Sequence, residues 1–120
     1  MLEIAKDYKT DPEAAKSKWI DREISILYEI SDLGVWDEDY VHFAINKGDA
    51  YVGFRDEIPI LYKKDIICVF CFDGVPDEVI ELRYGDYMKI KGVVKSIVFT
   101  DDNVLLISVL HSKIISRFKK

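Results

Sequence analysis

The chain is poor in the residues that do covalent and metal chemistry. Its 120 residues include two cysteines, two histidines, three prolines and six glycines. No catalytic set can be assembled from them. No phosphate-cradling glycine loop is present, because Gly48, Gly53 and Gly92 are scattered. There is no G-x-S-x-G nucleophile turn and no calcium-loop spacing. His42 and His111 both fall on strand-like segments and read as ordinary core-edge or surface histidines. Apolar runs never approach the roughly 18 residues that a membrane-crossing helix needs. The first seven residues, Met1 to Asp7, are charged and amphipathic and lack the apolar centre of a secretory signal, so a cytoplasmic location is expected.

The two cysteines stand as Cys68-Val69-Phe70-Cys71. The spacing invites a redox or zinc reading. The surrounding sequence is a continuous apolar strand, on which positions i and i+3 point to opposite faces. A single pair with no second ligand pair is a weak zinc signal. Two small buried thiols, reduced and metal-free, are therefore expected. No cofactor and no enzymatic activity are expected.

Against these absences stands an ordinary globular composition, 49% hydrophobic and 32% charged, which is outside the regime of disorder. One domain over residues 1–120 accounts for the length. The net charge of −5 hides an asymmetry. Residues 1–87 carry 10 Lys/Arg against 20 Asp/Glu, whereas residues 88–120 carry 7 against 2. That pattern suggests a basic surface on an acidic body. A chain that is acidic overall is a poor candidate for tight nonspecific nucleic-acid binding.

Residues 1–19 read as helical. Leu2, Ala5 and Tyr8 are spaced i, i+3, and Thr10-Asp11-Pro12-Glu13 breaks and restarts the helix with a cap and a proline at its first position. From Arg22 the period becomes two, with Ile24, Ile26 and Ile30 on one side. Asp32-Leu33-Gly34 ends or bends this first strand, and Asp37-Glu38-Asp39 is an acidic loop tip. Residues 40–45 could extend the sheet. Asn46-Lys47-Gly48-Asp49 is turn chemistry, and residues 50–55 form a second strand. Residues 66–72 form a third, apolar on both faces. Residues 77–82 make a short helical connection. A fourth strand begins at Met88 and bends at Gly92. Asp101-Asp102-Asn103 is a hairpin tip before the fifth strand at residues 104–115. The expected fold is mainly β (α+β by content). It is a five-stranded Greek-key barrel of the OB type over residues 22–116, with an N-terminal helix and a helical connection between strands three and four.

Three blocks carry a resemblance to a known family. The first is Tyr8, Asp11-Pro12-Glu13-Ala14-Ala15, Lys18-Trp19 and Ile24-Ser25-Ile26; the second is the strand Cys68 to Phe72; the third is Leu82 followed by Gly85-Asp86 and the strand Met88 to Val94. Together with the closing strand Leu110 to Ile114 they resemble the tRNA_anti-like OB-fold domains, a bacterial family mostly of unassigned function. Ser112 stands where that family often has cysteine, and the long stretch from Asp32 to Asp49 with Trp36 departs from its pattern. The resemblance implies kinship with anticodon-binding domains and so, by analogy, nucleic-acid binding.

What remains is a binding face. OB folds bind through the outer side of strands two and three. Tyr51 and Arg55 are expected there, either side of Gly53, with Val52 and Phe54 turned inward. Lys63 and Lys64 precede strand three, and Lys89 and Lys91 share an outward side of strand four. These six are the candidate ligand-binding residues of a noncatalytic module that binds single-stranded DNA or RNA weakly. The alternative is a protein-interaction module, an acidic inhibitor or partner subunit, docking through Leu27, Ile107 and Val109. The expected core is Ile24, Ile26, Ile30, Val52, Phe54, Met88, Ile90, Leu106, Leu110 and Ile114.

Overall fold

The computed structural model describes residues 2–40, 45–58, 64–100 and 104–118. Helix α1 (Leu2–Thr10) is followed by α2 (Pro12–Trp19). Asp11 separates them with extended backbone, and its carboxylate caps α2 by accepting from the Ala14 N–H. The two helices are tied by Asp7, whose carboxylate accepts from Lys18 Nζ at 2.9 Å and Trp19 Nε1 at 2.8 Å. Lys18 first, then Trp19, holds the Asp7 pKa below the usual carboxylate value. Ile4, Ala5, Ala15 and Trp19 are buried, so both helices dock on the sheet as their apolar spacing predicts.

Six strands follow: β1 (Glu23–Glu29), β2 (Asp32–Val35), β3 (Ala50–Ile58), β4 (Lys64–Cys71), β5 (Tyr87–Phe99) and β6 (Leu105–Phe118). The short helix α3 (Asp77–Ile80) joins β4 to β5. All six strands form one sheet in the order β1-β5-β6-β4-β3-β2, with β4 and β6 parallel and every other pair antiparallel. The expected first strand is thus two strands. Ile30 and Ser31 interrupt it, and each half pairs elsewhere, β1 with β5 and β2 with β3. At this joint Ile30 N–H donates to Asp86 O, while Ser31 N–H donates to Gly53 O on the other side. Among the described residues the sheet is mainly antiparallel and does not close, and its two edge strands are separated in sequence by these two residues alone. Residues 40 and 45 meet in an isolated bridge rather than a strand. Among the described residues, no helix is long and apolar enough to cross a membrane.

The core holds Ile24, Ile26, Ile30, Val52, Phe54, Met88 and Ile90, as alternation predicts. It also holds Phe70 and Cys68, with Phe54 and Phe70 edge to face at 5.6 Å. The register expected for the first half of β6 is corrected. Leu105, Ile107 and Val109 are fully buried, whereas Leu106 and Leu110 are only half-buried. The cause is a bulge. Lys91 pairs with Lys113 and Val93 with Leu110, so Gly92 faces more chain than one residue. His111 takes up the excess at φ 53°, in the left-handed region. Gly92 permits the close approach, since a Cβ there would lie 2.5 Å from Val109 Cγ1 and 2.9 Å from Leu110 O. Counting back from Ile114 in twos crosses that bulge and inverts every side chain before it. Past the bulge, Arg117 turns inward against the turn before β5. It binds the buried Asp86 carboxylate at 3.3 Å and donates to Glu81 O at 2.7 Å.

Candidate functional site

The outer side of β3 and β4, where the ligand face is expected, is not open. Residues 36–40 and 45–49, between β2 and β3, lie across it. Trp36 N–H donates to Asp49 O and Gly48 N–H to Trp36 O, which closes the connection at its base. The Trp36 ring lies 4.3 Å from that of Tyr51, and Tyr40 meets Trp36 edge-on at 5.4 Å. Ile45 is buried beneath them. The other side of Tyr51 rests on Gly34, its cross-strand partner, where a Cβ would come within 2.6 Å of the phenol oxygen. Tyr51 is therefore packed between Trp36 and β2. Desolvation, then the charge of Asp32, raises its phenol pKa. The expected bare floor at Gly53 is also covered, because Asp32 of β2 stands opposite it with Cβ 3.1 Å from where a Gly53 Cβ would be. Between the connection and the sheet lies an apolar pocket of about 240 Å³, lined by Trp36, Tyr40, Ile45, Val69, Leu106 and Ser108.

Cys71 belongs to this covered side, whereas Cys68 faces the core. Both are free and buried. Burial pushes the Cys68 thiol up to about 12 and the Cys71 thiol up to about 11. The nearby Trp36 side chain opposes the rise at Cys71, although Trp36 Nε1 makes no hydrogen bond of full geometry. Such thiols are poor nucleophiles and poor metal ligands. Among the described residues no three His, Cys, Asp or Glu side chains come together as a metal site.

The outer side of β1, β5 and β6 is the opposite case. Register places Tyr87 between Glu29 and Phe118, Lys89 between Leu27 and Ser116, and Lys91 between Ser25 and Lys113. Lys89 and Lys113 are exposed and Lys91 is half-buried among its neighbours. Leu27, Tyr87 and Phe118 are 54%, 46% and 53% exposed. Three lysines and two aromatic rings thus share one uncovered surface, on strands about 4.8 Å apart.

The expected ligand residues are therefore separated. Lys89 and Lys91 stand together on the open face. Tyr51 is under the connection. Arg55 is exposed and turned toward Tyr84 and Tyr87, with which it lines a pocket of about 710 Å³. Lys64 begins β4, while Lys63 and His42 lie outside the described residues, as does the tip at 101–103. Of the alternative docking residues, only Leu27 is on the surface; the expectation for Ile107 and Val109 is corrected by their complete burial. Sequence reasoning missed Tyr87, Lys113 and Phe118. Tyr87 was within reach, two residues before Lys89 on the same alternation. Lys113 was not, because its place beside Lys91 depends on the bulge.

No family model matches this chain, and neither a curated protein nor a solved structure does.

Proposed function

We propose that this chain is a noncatalytic binding module of the OB type, related to the tRNA_anti-like domains, that holds single-stranded DNA or RNA weakly. The ligand face in this reading is Tyr87, Lys89, Lys91, Lys113 and Phe118. The architecture is supported by the strand order, by α3 between β4 and β5, and by the parallel β4–β6 pair. Taken as two halves of one bent strand, β1 and β2 would bring the sheet's two edges together into a barrel. The observation that carries the ligand is the cross-strand placement of Lys91 beside Lys113, with Tyr87 beside Phe118 one end along.

The chemistry follows from those side chains. Ammonium groups neutralise phosphates and release counterions, which is sequence-independent. Exposed aromatic rings offer a stacking surface that any base can use. The acidic remainder of the chain opposes approach, so affinity is modest and falls steeply with salt. Anisotropy titration of labelled oligothymidine and oligouridine at low and moderate salt tests this. Lys89→Ala and Lys113→Ala should weaken both ligands alike and each lower the salt slope by about one. Tyr87→Ala should cost about 1–3 kcal/mol of binding if a base stacks there. Absence of binding at low salt would remove the reading.

A further inference from the structure

On the covered side, one cross-strand row of the sheet is made of small residues. Register carries it across four strands: Gly53 of β3 pairs with Val69 of β4, Val69 with Ser108 of β6, and Ser108 with Ser96 of β5. The row lies on the outer side, because Cys68 and Phe70 on β4 and Ile107 and Val109 on β6 fill the core. Facing it are the large side chains of Trp36, Tyr40 and Ile45. Large groups over a floor of glycine, valine and serine leave the pocket of about 240 Å³ between them.

The large groups are held off that floor. Trp36 is tied at both main-chain groups, its N–H to Asp49 O and its carbonyl to Gly48 N–H, and its ring rests on Tyr51. Tyr40 and Ile45 exchange both main-chain bonds, and Lys47 N–H donates to the Asp39 carboxylate. Protein interiors hold few voids larger than a water molecule. A tied cover of this kind keeps open a space several times that size, and its walls regain the dispersion contacts they lack when an apolar molecule fills it.

The lining states what the occupant is. None of the lining residues is charged, so an ion entering here would lose its hydration without a partner. Trp36 and Tyr40 offer aromatic walls, and Ile45, Val69 and Leu106 aliphatic ones. Polarity is confined to the floor. Ser108 brings a hydroxyl there and is 2% exposed. Beside it the Ser96 Oγ is buried with no hydrogen-bond partner among the described residues. A serine hydroxyl both donates and accepts, and another hydroxyl answers it in either sense. An engineered apolar cavity of about 150 Å³ takes benzene, so about 240 Å³ takes one ring with a short alkyl arm and a hydroxyl.

We propose that this pocket binds a small neutral aromatic molecule of the phenol class, its ring against Trp36, Tyr40 and Leu106 and its oxygen at Ser108. The site is on the covered side, apart from the lysine face, and stands or falls independently of the nucleic-acid reading.

The probe is para-ethylphenol, of about nine non-hydrogen atoms, titrated into the full chain and followed by NMR at the two indole N–H resonances. Trp36 lines the pocket, whereas Trp19, whose indole N–H is bonded to Asp7, is the internal control. The Trp36 resonance should move and saturate with a Kd on the order of 0.1 mM, while that of Trp19 stays in place. Benzoate, of the same size but charged, should bind at least about tenfold more weakly. Ser108→Ala should weaken para-ethylphenol about fivefold and leave ethylbenzene, which has no hydroxyl, within about twofold. Leu106→Trp should fill the pocket and stop binding of both. Should that variant not fold, Ser108→Ala, which removes a single oxygen atom, decides the matter. The inference is overturned if para-ethylphenol leaves the Trp36 resonance in place, or if both indole resonances drift together without saturating. It is also overturned if benzoate binds as well as para-ethylphenol, or if Ser108→Ala affects para-ethylphenol and ethylbenzene alike.

Discussion

The two outward surfaces of this sheet have been treated oppositely. Over β3 and β4, the connection from Val35 to Ala50 lays Trp36 on Tyr51 and buries Ile45. Where β1 meets Tyr87–Lys91 of β5 and these meet Lys113–Phe118 of β6, none of the described residues is laid across, and Tyr87, Phe118 and the lysines meet solvent. Aromatic residues stand on both sides, Trp36, Tyr40 and Tyr51 on one and Tyr87 and Phe118 on the other, so residue type alone does not mark a binding face. What separates the two is whether the chain supplies its own cover. A tyrosine on a strand is a stacking platform when its ring face is bare and a packing element when a tryptophan already occupies it.

The contrast can be broken most forcefully through the residues once grouped as one docking surface. Ile107→Ala should cost about 2–5 kcal/mol in urea unfolding, since the side chain is fully buried. Leu27→Ala, on the open face, should stay within about 0.5 kcal/mol. A loss at Ile107 as small as that at Leu27 would mean that the inner and outer sides of β6 have been exchanged. A smaller effect sharpens the account of the covered side. Trp36→Ala should cost about 2–3 kcal/mol by removing the cover of Tyr51. The same variant should make Cys71 react with a thiol reagent under native conditions, while Cys68, deeper in the core, stays inert in both proteins. If Cys71 reacts equally fast with Trp36 in place, the connection does not seal that face. The smallest effect belongs to the lysines. Combined Lys89→Ala, Lys91→Ala and Lys113→Ala should move stability by no more than about 0.5 kcal/mol, measured by the same unfolding series, because these side chains are at the surface. A larger loss would give them a structural role and weaken their reading as a ligand face.

Much of the architecture could be read before any coordinates. Thr10-Asp11-Pro12 announces the break between the helices because proline and a capping carboxylate act locally. The alternation of Ile24, Ile26 and Ile30, and of Met88 and Ile90, identifies the inner side because no extra residue interrupts either run; at the shift between Lys89 and Ile90 the extra residue is Ile115, on β6. The first half of β6 was not legible, since its phase depends on His111 adopting a left-handed backbone opposite Gly92. Nothing in Leu110-His111-Ser112 signals that choice, histidine being an uncommon residue there. The cover over Tyr51 was equally hidden. Trp36, Tyr40 and Ile45 follow neither the helical nor the strand period, so their packing comes from tertiary contacts that no local pattern encodes. The division of the first strand was half visible, as a bend at Asp32-Leu33-Gly34, but the switch of partner at Ile30 and Ser31 was not.

That switch has a consequence for the order in which the molecule assembles. β2 can pair with β3 across a connection of modest length, but β1, which precedes β2, must wait for β5, more than 50 residues further along the chain. A chain emerging from synthesis therefore carries its first strand unseated until the fifth has been made. Closure of so long a loop is entropically slow, and topologies dominated by such pairings fold over milliseconds to seconds rather than microseconds. The earliest strand to be made is among the last to be seated.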